Sequence, residues 1–249
     1  MMMNSYRERP AVGLAAEALE CIWEHRGSAN ESGHLVIPDN CADILLDLAP
    51  DGRVLTASVV GVMTEPRRVP SRPGHLVGLR FRPGWLAPLL DVDARELRNA
   101  RVPLEQVAPA WARVAYGGSA PLRDLVSAVA LALAAHRGPA PLVQRVLHEL
   151  MTGEQDHPVG ALCRSHGVSR QYLARAFSHA VGTGPKFVAR VARLERVRRS
   201  LTSRRGDWAR LAADVGFADQ SHLVREMRAL TGAVPSALDR GSAVPRGEV

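Results

Sequence analysis

Between Gly160 and Pro235 the apolar positions fall three and four residues apart, the spacing of one helix face, and the pattern is written twice. The first copy runs Leu162-Cys163-Arg164-Ser165-His166-Gly167-Val168-Ser169-Arg170-Gln171-Tyr172-Leu173-Ala174-Arg175-Ala176-Phe177 and closes with Gly182-Thr183-Gly184-Pro185. The second runs from Leu211 through Gly216-Phe217-Ala218-Asp219-Gln220-Ser221-His222-Leu223-Val224-Arg225-Glu226-Met227 and closes with Gly232-Ala233-Val234-Pro235. Leu162 and Gly167 map onto Leu211 and Gly216, and Leu173, Arg175 and Gly182 onto Leu223, Arg225 and Gly232, with one extra residue in the second turn. Each copy predicts an apolar helix, a turn at a glycine able to take positive φ, and a second helix with outward polar groups. That is a tandem helix-turn-helix.

At 100° per residue, Leu173, Phe177 and Ala180 share the inner side of the first recognition helix, while Gln171, Ala174, Arg175 and Ser178 face out. In the second, Leu223, Met227 and Leu230 face in and Ser221, Val224, Arg225 and Arg228 face out. Between them Lys186–Leu201 predicts an amphipathic connecting helix with Phe187, Val191, Leu194, Val197 and Leu201 on one arc. Lys186, Arg193, Arg196 and Arg199 lie away from that arc. Upstream, Pro141–Met151 predicts the opening helix of this half, Pro121–His136 a helical bridge, and Gly153–Pro158 a polar loop.

The texture of the first half differs. His34–Pro38, Ala42–Leu48, Val54–Val62 and His75–Phe81 are short apolar runs separated by Pro-Asp-Asn at 38–40, Pro-Asp-Gly at 50–52 and Arg-Pro-Gly at 72–74, which read as strands and turns. Glu17–His25 fits either a short helix or a strand, and Val92–Ala120 is mixed. The expected fold is a multidomain α+β chain. Residues 1–120 form a β-rich domain, a small barrel or sandwich serving in sensing or oligomerisation; 121–138 is a helical bridge; 139–240 is an all-α DNA-binding domain; 241–249 is a disordered tail.

Charge sharpens this division. The net charge is +7 with a pI near 10.3. Residues 1–136 hold 14 Arg against 15 Asp and Glu, whereas residues 137–249 hold 18 basic residues against 10 acidic ones. All of the excess lies with the repeated motif, which points to nucleic acid as its partner. No apolar run approaches the ~20 residues a membrane helix needs, and no signal pattern opens the chain, so a cytoplasmic location without membrane association is expected. Cys21, Cys41 and Cys163 are odd in number and fit reduced thiols.

Residues 141–238 resemble the AraC-type (AraC/XylS) DNA-binding domain, in which two helix-turn-helix units flank one connecting helix. The resemblance is carried by Gly216-Phe217-Ala218-Asp219-Gln220-Ser221-His222-Leu223, by Gly232-Ala233-Val234-Pro235-Ser236, and by Gly182-Thr183-Gly184-Pro185-Lys186-Phe187. Met227 stands where the family usually has Phe. Most of residues 5–110, through Pro38-Asp39-Asn40-Cys41-Ala42-Asp43 and Gly78-Leu79-Arg80-Phe81-Arg82-Pro83-Gly84-Trp85, resemble an N-terminal domain of unknown function that accompanies AraC-type domains in one bacterial subfamily. The implied function is bacterial transcription regulation through sequence-specific DNA binding in two adjacent major grooves.

The candidate DNA-binding set is Ser169, Arg170, Gln171, Ala174, Arg175 and Ser178 in the first unit, Gln220, Ser221, His222, Val224, Arg225 and Arg228 in the second, and Lys186, Arg193 and Arg196 on the connecting helix. Arg forks onto guanine, Gln pairs with adenine, and Ala or Val touches a thymine methyl, so these residue types suit major-groove readout. In the first half Asp39 and Asp43 are either a carboxylate pair or backbone caps. Arg80 and Trp85 either line a ligand cleft or divide between an outer strand face and the core. The expected partners are double-stranded DNA, a small-molecule effector at the N-terminal domain, RNA polymerase and a second copy of the chain. No catalytic, phosphate-loop or metal motif is present, so neither an enzyme nor a cofactor is expected; Cys21, His25, His34 and Cys41 are too scattered for a metal set. Two further readings are a DNA repair or modification enzyme, which requires a reactive Cys or a four-Cys zinc site, and a small-molecule-binding module without specific DNA recognition.

Overall fold

The computed structural model describes residues 5–27, 34–70, 73–153, 158–201 and 208–233. Eight strands occupy the first part: β1 Ser5–Arg9, β2 Leu19–Gly27, β3 His34–Val36, β4 Ala42–Leu48, β5 Val54–Val60, β6 Arg67–Val69, β7 Gly74–Phe81 and β8 Arg101–Pro103. Six of them form one antiparallel sheet in the order β1-β2-β7-β4-β5-β8, and β3 pairs with β6 in a separate ribbon. The β-rich region is thus mainly one sheet. Glu17–His25, ambiguous in the sequence, lies mostly in β2. This strand pairs on both edges and is buried along most of its length, which hides the alternation that marks a half-exposed strand.

Alternation assigns the sheet's two faces different chemistry. Ile44, Leu46, Ala57, Val59, Leu79 and Phe81 point into the main core. Against them pack five helices, α1 Leu86–Leu90, α2 Ala94–Leu97, α3 Leu104–Val107, α4 Pro109–Gly117 and α5 Pro121–Ala134. Helices α2 and α3 are only four residues long, too short to display a helical period, and with the three-residue strand β8 between them they make Val92–Ala120 read as mixed. Helix α5, over the stretch expected as a bridge, buries Leu125 and Val129, one turn apart, in the sheet's own core.

The opposite face carries a smaller cluster of Cys21, Trp23, Leu45 and Val60, with Tyr6 and Leu76 at its margin. Gly78 faces Trp23 directly across the β2–β7 register. A Cβ at this position would come within 2.1 Å of the indole ring, so the fully buried Trp23 lies flat where any side chain would stand. Gly78→Ala should destabilise the fold by about 1–3 kcal/mol through overpacking, seen as a lowered urea midpoint; an unchanged midpoint would show that the ring moves freely.

The helical part comprises α6 Pro141–Thr152, α7 Val159–Ser165, α8 Arg170–Val181, α9 Pro185–Leu201, α10 Trp208–Asp214 and α11 Gln220–Thr231. Helices α6, α7 and α8 share one core with Val188 of α9. Val191, Leu194 and Val197, further along α9, belong to a second core with α10 and α11. One helix therefore contributes to both units. Pro235, Ser236 and the expected tail from Gly241 to Val249 lie outside the described residues, as does most of the expected loop after Gly153.

The two parts meet at the end of α8. Gly182, in the left-handed region with φ 85°, approaches Val62 and the Ala94 carbonyl so closely that a Cβ would lie 2.8 and 2.9 Å from them. Gly84 faces Leu147 of α6 and Val181 of α8. His179 Nδ1 lies 3.1 Å from Asp93 Oδ2 across the same boundary. Among the described residues no helix is long and apolar enough to cross a membrane.

Candidate nucleic-acid interface and the cavity beside it

Each recognition helix is set by the same local devices. In the first unit Gly167 takes φ 64° in the turn, the Ser169 hydroxyl accepts from the Tyr172 amide at 3.1 Å, and Gly182 closes the helix by donating its N–H to the Ser178 carbonyl. In the second, Gly216 takes φ 84°, the Asp219 carboxylate accepts from the His222 amide at 2.7 Å, and Gly232 closes the helix on the Arg228 carbonyl. The extra residue of the second turn leaves this arrangement intact.

Capped in this way, α8 buries Leu173, Phe177 and Val181 and exposes Arg170, Gln171, Ala174 and Arg175, with Ser178 half-buried. Helix α11 buries Leu223, Met227 and Leu230 and exposes Gln220, Ser221, Arg225 and Arg228, with Val224 half-buried. Arg175 and Arg225 stand at equivalent exposed positions. His222 is held differently: its Nδ1 accepts from the Ala218 amide at 3.3 Å and its ring meets the Phe217 ring edge-on, with centroids 5.3 Å apart. It stiffens the turn while also lining the groove between the units.

That groove, about 1090 Å³ and open, is bordered among the described residues by Arg170, Lys186, Arg190 and Arg193 against the carboxylate of Glu226. Arg190 Nε pairs with Glu226 at 2.7 Å, tying α9 to α11. Arg170 folds back over Gly160, where a Cβ would lie 2.6 Å from its guanidinium. Of the three strut residues expected to reach DNA, Lys186 is exposed. The other two have protein partners. Arg193 lies 5.0 Å from the centre of the Phe217 ring, and Arg196 donates to the Gly153 carbonyl at 2.9 Å. Angle on the helix circle places both off the apolar arc, but α9 has units packed on more than one side and little of it faces water. Tyr172, 52% exposed at the head of α8, is a candidate contact absent from the set above. Its signal was a large aromatic residue outside the Leu173–Phe177 stripe.

In the first half, Asp39, Asp43 and Arg80 come together. Cys21, Arg80 and Asp43 are cross-strand neighbours on the sheet's smaller-cluster face. Arg80 is 2% exposed; its Nε lies 3.5 Å from Asp43 Oδ1 and 3.7 Å from Asp39 Oδ2, and Nη1 lies 3.5 Å from Glu8 Oε1. Asp43 also accepts from the Trp23 indole at 2.8 Å, and Asp39 accepts from the Cys41 amide at 2.9 Å, so Asp39 is both a cap and an ion-pair partner. Burial raises the Asp43 carboxyl to about 6 and the repulsion of Asp39 adds to it, although Arg80 pulls the other way. Asp39 is raised for the same first reason. Burial alone would lower Arg80, but Asp43 and Asp39 outweigh it and hold the guanidinium charged.

Trp85 is not in this group. It packs with the main core on the helical side and against Gly138. Arg80 and Trp85, five residues apart, follow opposite faces once the strand ends. A cavity of about 230 Å³ adjoins Asp39 and Arg80, and its far wall is Met151 and Thr152 of α6 with Val191, Ala192, Glu195 and Arg199 of α9. All three cysteines are buried free thiols, and among the described residues no group of three or more His, Cys, Asp or Glu is placed to hold a metal. Burial raises Cys21 to about 12 and Cys41 well above its ordinary value, the wrong direction for a nucleophile.

Two capped helix-turn-helix units sharing one helix, with a basic groove between them, define a DNA-binding protein of the tandem helix-turn-helix class. Two family models match separate stretches of the chain: a helix-turn-helix domain of AraC type matches residues 162–241, and a domain of unknown function (DUF6597) matches residues 7–103. The chain thus joins an AraC-type helix-turn-helix domain to that N-terminal domain, which supports a DNA-binding transcription regulator. No curated protein matches it. Among solved structures it is similar to the transcriptional regulator CdpR from Pseudomonas aeruginosa, at 18% identity and TM-score 0.38, covering 68% of this chain and 46% of that one. It is also similar to apo ToxT from Vibrio cholerae, at 8% identity and TM-score 0.44 with 88% and 96% covered. An unsaturated fatty acid bound form of ToxT gives 9% identity and TM-score 0.40 with both chains fully covered. The chain spans less than half the length of CdpR.

Proposed function

We propose that α8 and α11 enter adjacent major grooves on one face of duplex DNA and read an asymmetric site of about two helical turns. The observation that carries this reading is the equivalent exposure of Arg175 and Arg225 on two identically capped helices. Helix α9 has 17 residues, about 25 Å at ~1.5 Å each, a length compatible with grooves ~34 Å apart once the breadth of the two units is added. Gln171, Ala174 and Ser178, and Ser221, Val224 and Arg228, complete the two reading faces. Arg170, Lys186, Ser169, Gln220 and Tyr172 serve as backbone contacts, and His222, Arg193 and Arg196 position the units. Because the two faces differ in sequence, one chain reads a non-palindromic site.

Residues 139–240 are the DNA-binding unit and the preceding sheet is its sensor. The effector acts at the cavity shared by Asp39, Arg80 and α9, which has walls from both parts; a ligand there alters DNA affinity only as far as it prefers one arrangement of those walls. The protein works by binding and not by catalysis, in the cytoplasm, with RNA polymerase and a second copy of the chain as further partners. Selection of bound sequences from random duplex DNA with the purified protein tests the central claim. An enriched asymmetric site of about two turns is expected; binding without enrichment would reduce the protein to a nonspecific DNA binder.

A further inference from the structure

The two recognition helices are attached to α9 in different ways. Helix α8 is joined to its start by Gly182–Gly184 alone, so chain connectivity holds the first unit in place. Gly182 is also wedged against Val62 and the Ala94 carbonyl of the sheet domain. The second unit follows the other end of α9 through residues 202–207, and its seat on α9 is a matter of packing. Val191, Leu194 and Val197 supply the apolar part of that seat. Apolar burial is non-directional, so it resists separation of α11 from α9 more than it resists rotation.

A charged pair supplies the missing direction. Arg190 Nε donates to Glu226 Oε2 at 2.7 Å, the short distance of a charge-assisted hydrogen bond. The two side chains are 31% and 22% exposed, so water weakens the pair less than it would one at the open surface. Arg190 is steadied on its own helix, with its guanidinium carbon 5.8 Å from the centre of the Phe187 ring. Three residues further on, Arg193 lies over Phe217, whose ring meets His222 edge-on. Burial lowers Arg193 and neighbouring Arg196 adds to this, while the Glu226 carboxylate pulls the other way, so Glu226 attracts both arginines. This face of α9 thus grips α11 at its middle and at the turn leading into it. Glu226 stands between exposed Arg225 and buried Met227, and the matching position in α8 is Ala176.

We propose that the Arg190–Glu226 pair is a positioning device that sets the angle of α11 on α9, and through it the spacing at which the two half-sites are read. The proposal rests on the reading of α8 and α11 as heads in adjacent grooves and adds what fixes their phase. One base pair added or removed between the halves shifts a half-site by ~3.4 Å and turns it by about a tenth of a turn. The intact pair denies α11 the rotation that would follow such a change. Arg190 and Glu226 act through Arg225 and its neighbours and read no base themselves.

The test measures the affinity of the full chain for three duplexes: the selected site, and the same site with one base pair inserted or deleted between its halves. The parent should prefer the first. Arg190→Ala and Glu226→Ala, which break the pair from opposite sides, should each lower that preference by about three- to tenfold, with base preference inside each half unchanged. Glu226→Gln, which keeps an acceptor for Arg190, should retain most of it. Circular dichroism and melting temperature check folding, and either folded Ala variant decides. Equal weakening on all three duplexes would make Arg190 a phosphate contact and overturn the proposal, as would the parental spacing preference in a folded Ala variant. If neither Ala variant folds, the pair is a contact of the fold and the proposal fails. A parent that binds its selected site and both altered duplexes alike would sink the two-groove reading itself, and this proposal with it.

Discussion

Arg175→Ala should relax base preference in one half of the selected site by roughly 5- to 150-fold while leaving the other half as it was, and Arg225→Ala should do the converse. The magnitude follows from a bidentate Arg–guanine contact, worth ~1–3 kcal/mol of discrimination at ~1.4 kcal/mol per decade of affinity. Both side chains are exposed on helices whose opposite faces supply the core, so neither change removes packing. Melting temperatures within a degree or two of the parent are the control. Competition between duplexes substituted at single positions separates the halves. Equal weakening on every duplex, with preference intact, would move both residues from base readers to phosphate contacts, where the loss tracks salt and not sequence.

Arg80→Ala should cost about 3–5 kcal/mol of folding stability at neutral pH, because it leaves Asp39, Asp43 and Glu8 crowded without the charge that joins them. The loss should depend on pH. Asp43 titrates at about 6 in the folded chain against ~3.9 in an unfolded one, so the folded state holds its proton more tightly. Its favourable contribution is therefore complete below about pH 4 and gone once the pH has risen through 6. Removing Arg80 takes away the strongest of the groups pulling Asp43 and Asp39 down, leaving the Trp23 indole and the Cys41 amide, and moves this window upward. The variant's deficit should be small at pH 5 and full at pH 8, measured by urea denaturation. An equal deficit at both would mean that Arg80 acts by packing alone.

The helical half was legible because its signals are local. Ser169 and Asp219 cap their helices by accepting from the amides three residues ahead, and Gly167, Gly182, Gly216 and Gly232 take the positive φ that their positions in the repeat imply. Periodicity separates Leu173 from Arg175 without reference to anything distant. What it could not reveal was what lies opposite a side chain. Arg193 and Arg196 fall off the apolar arc of α9, yet Phe217 and Gly153, 24 and 43 residues away, meet them. The sheet was legible strand by strand where turns bound an apolar run. The three-residue strands β6 and β8, and charged β1 at the edge, carry too few apolar positions to register. Asp39, Asp43 and Arg80 were visible as candidates because of their residue types and turn context. Their convergence depends on β4 pairing with β7, and the far wall on a helix some 150 residues later, neither of which is written in any local stretch.

Val188 lies in the core of the first unit and Val191, less than one turn later, in the core of the second. The boundary between two reading heads thus falls inside a single uninterrupted helix, where ordinary tandem modules have a linker. Such a protein is a gauge as well as a reader: the separation of its heads is built in, with no slack to take up an added base pair, which would displace and rotate one half-site by about a tenth of a turn. On the proposed reading, letters within each half of its site would drift one at a time at modest cost, whereas a change in the distance between the halves would make the two read as different words.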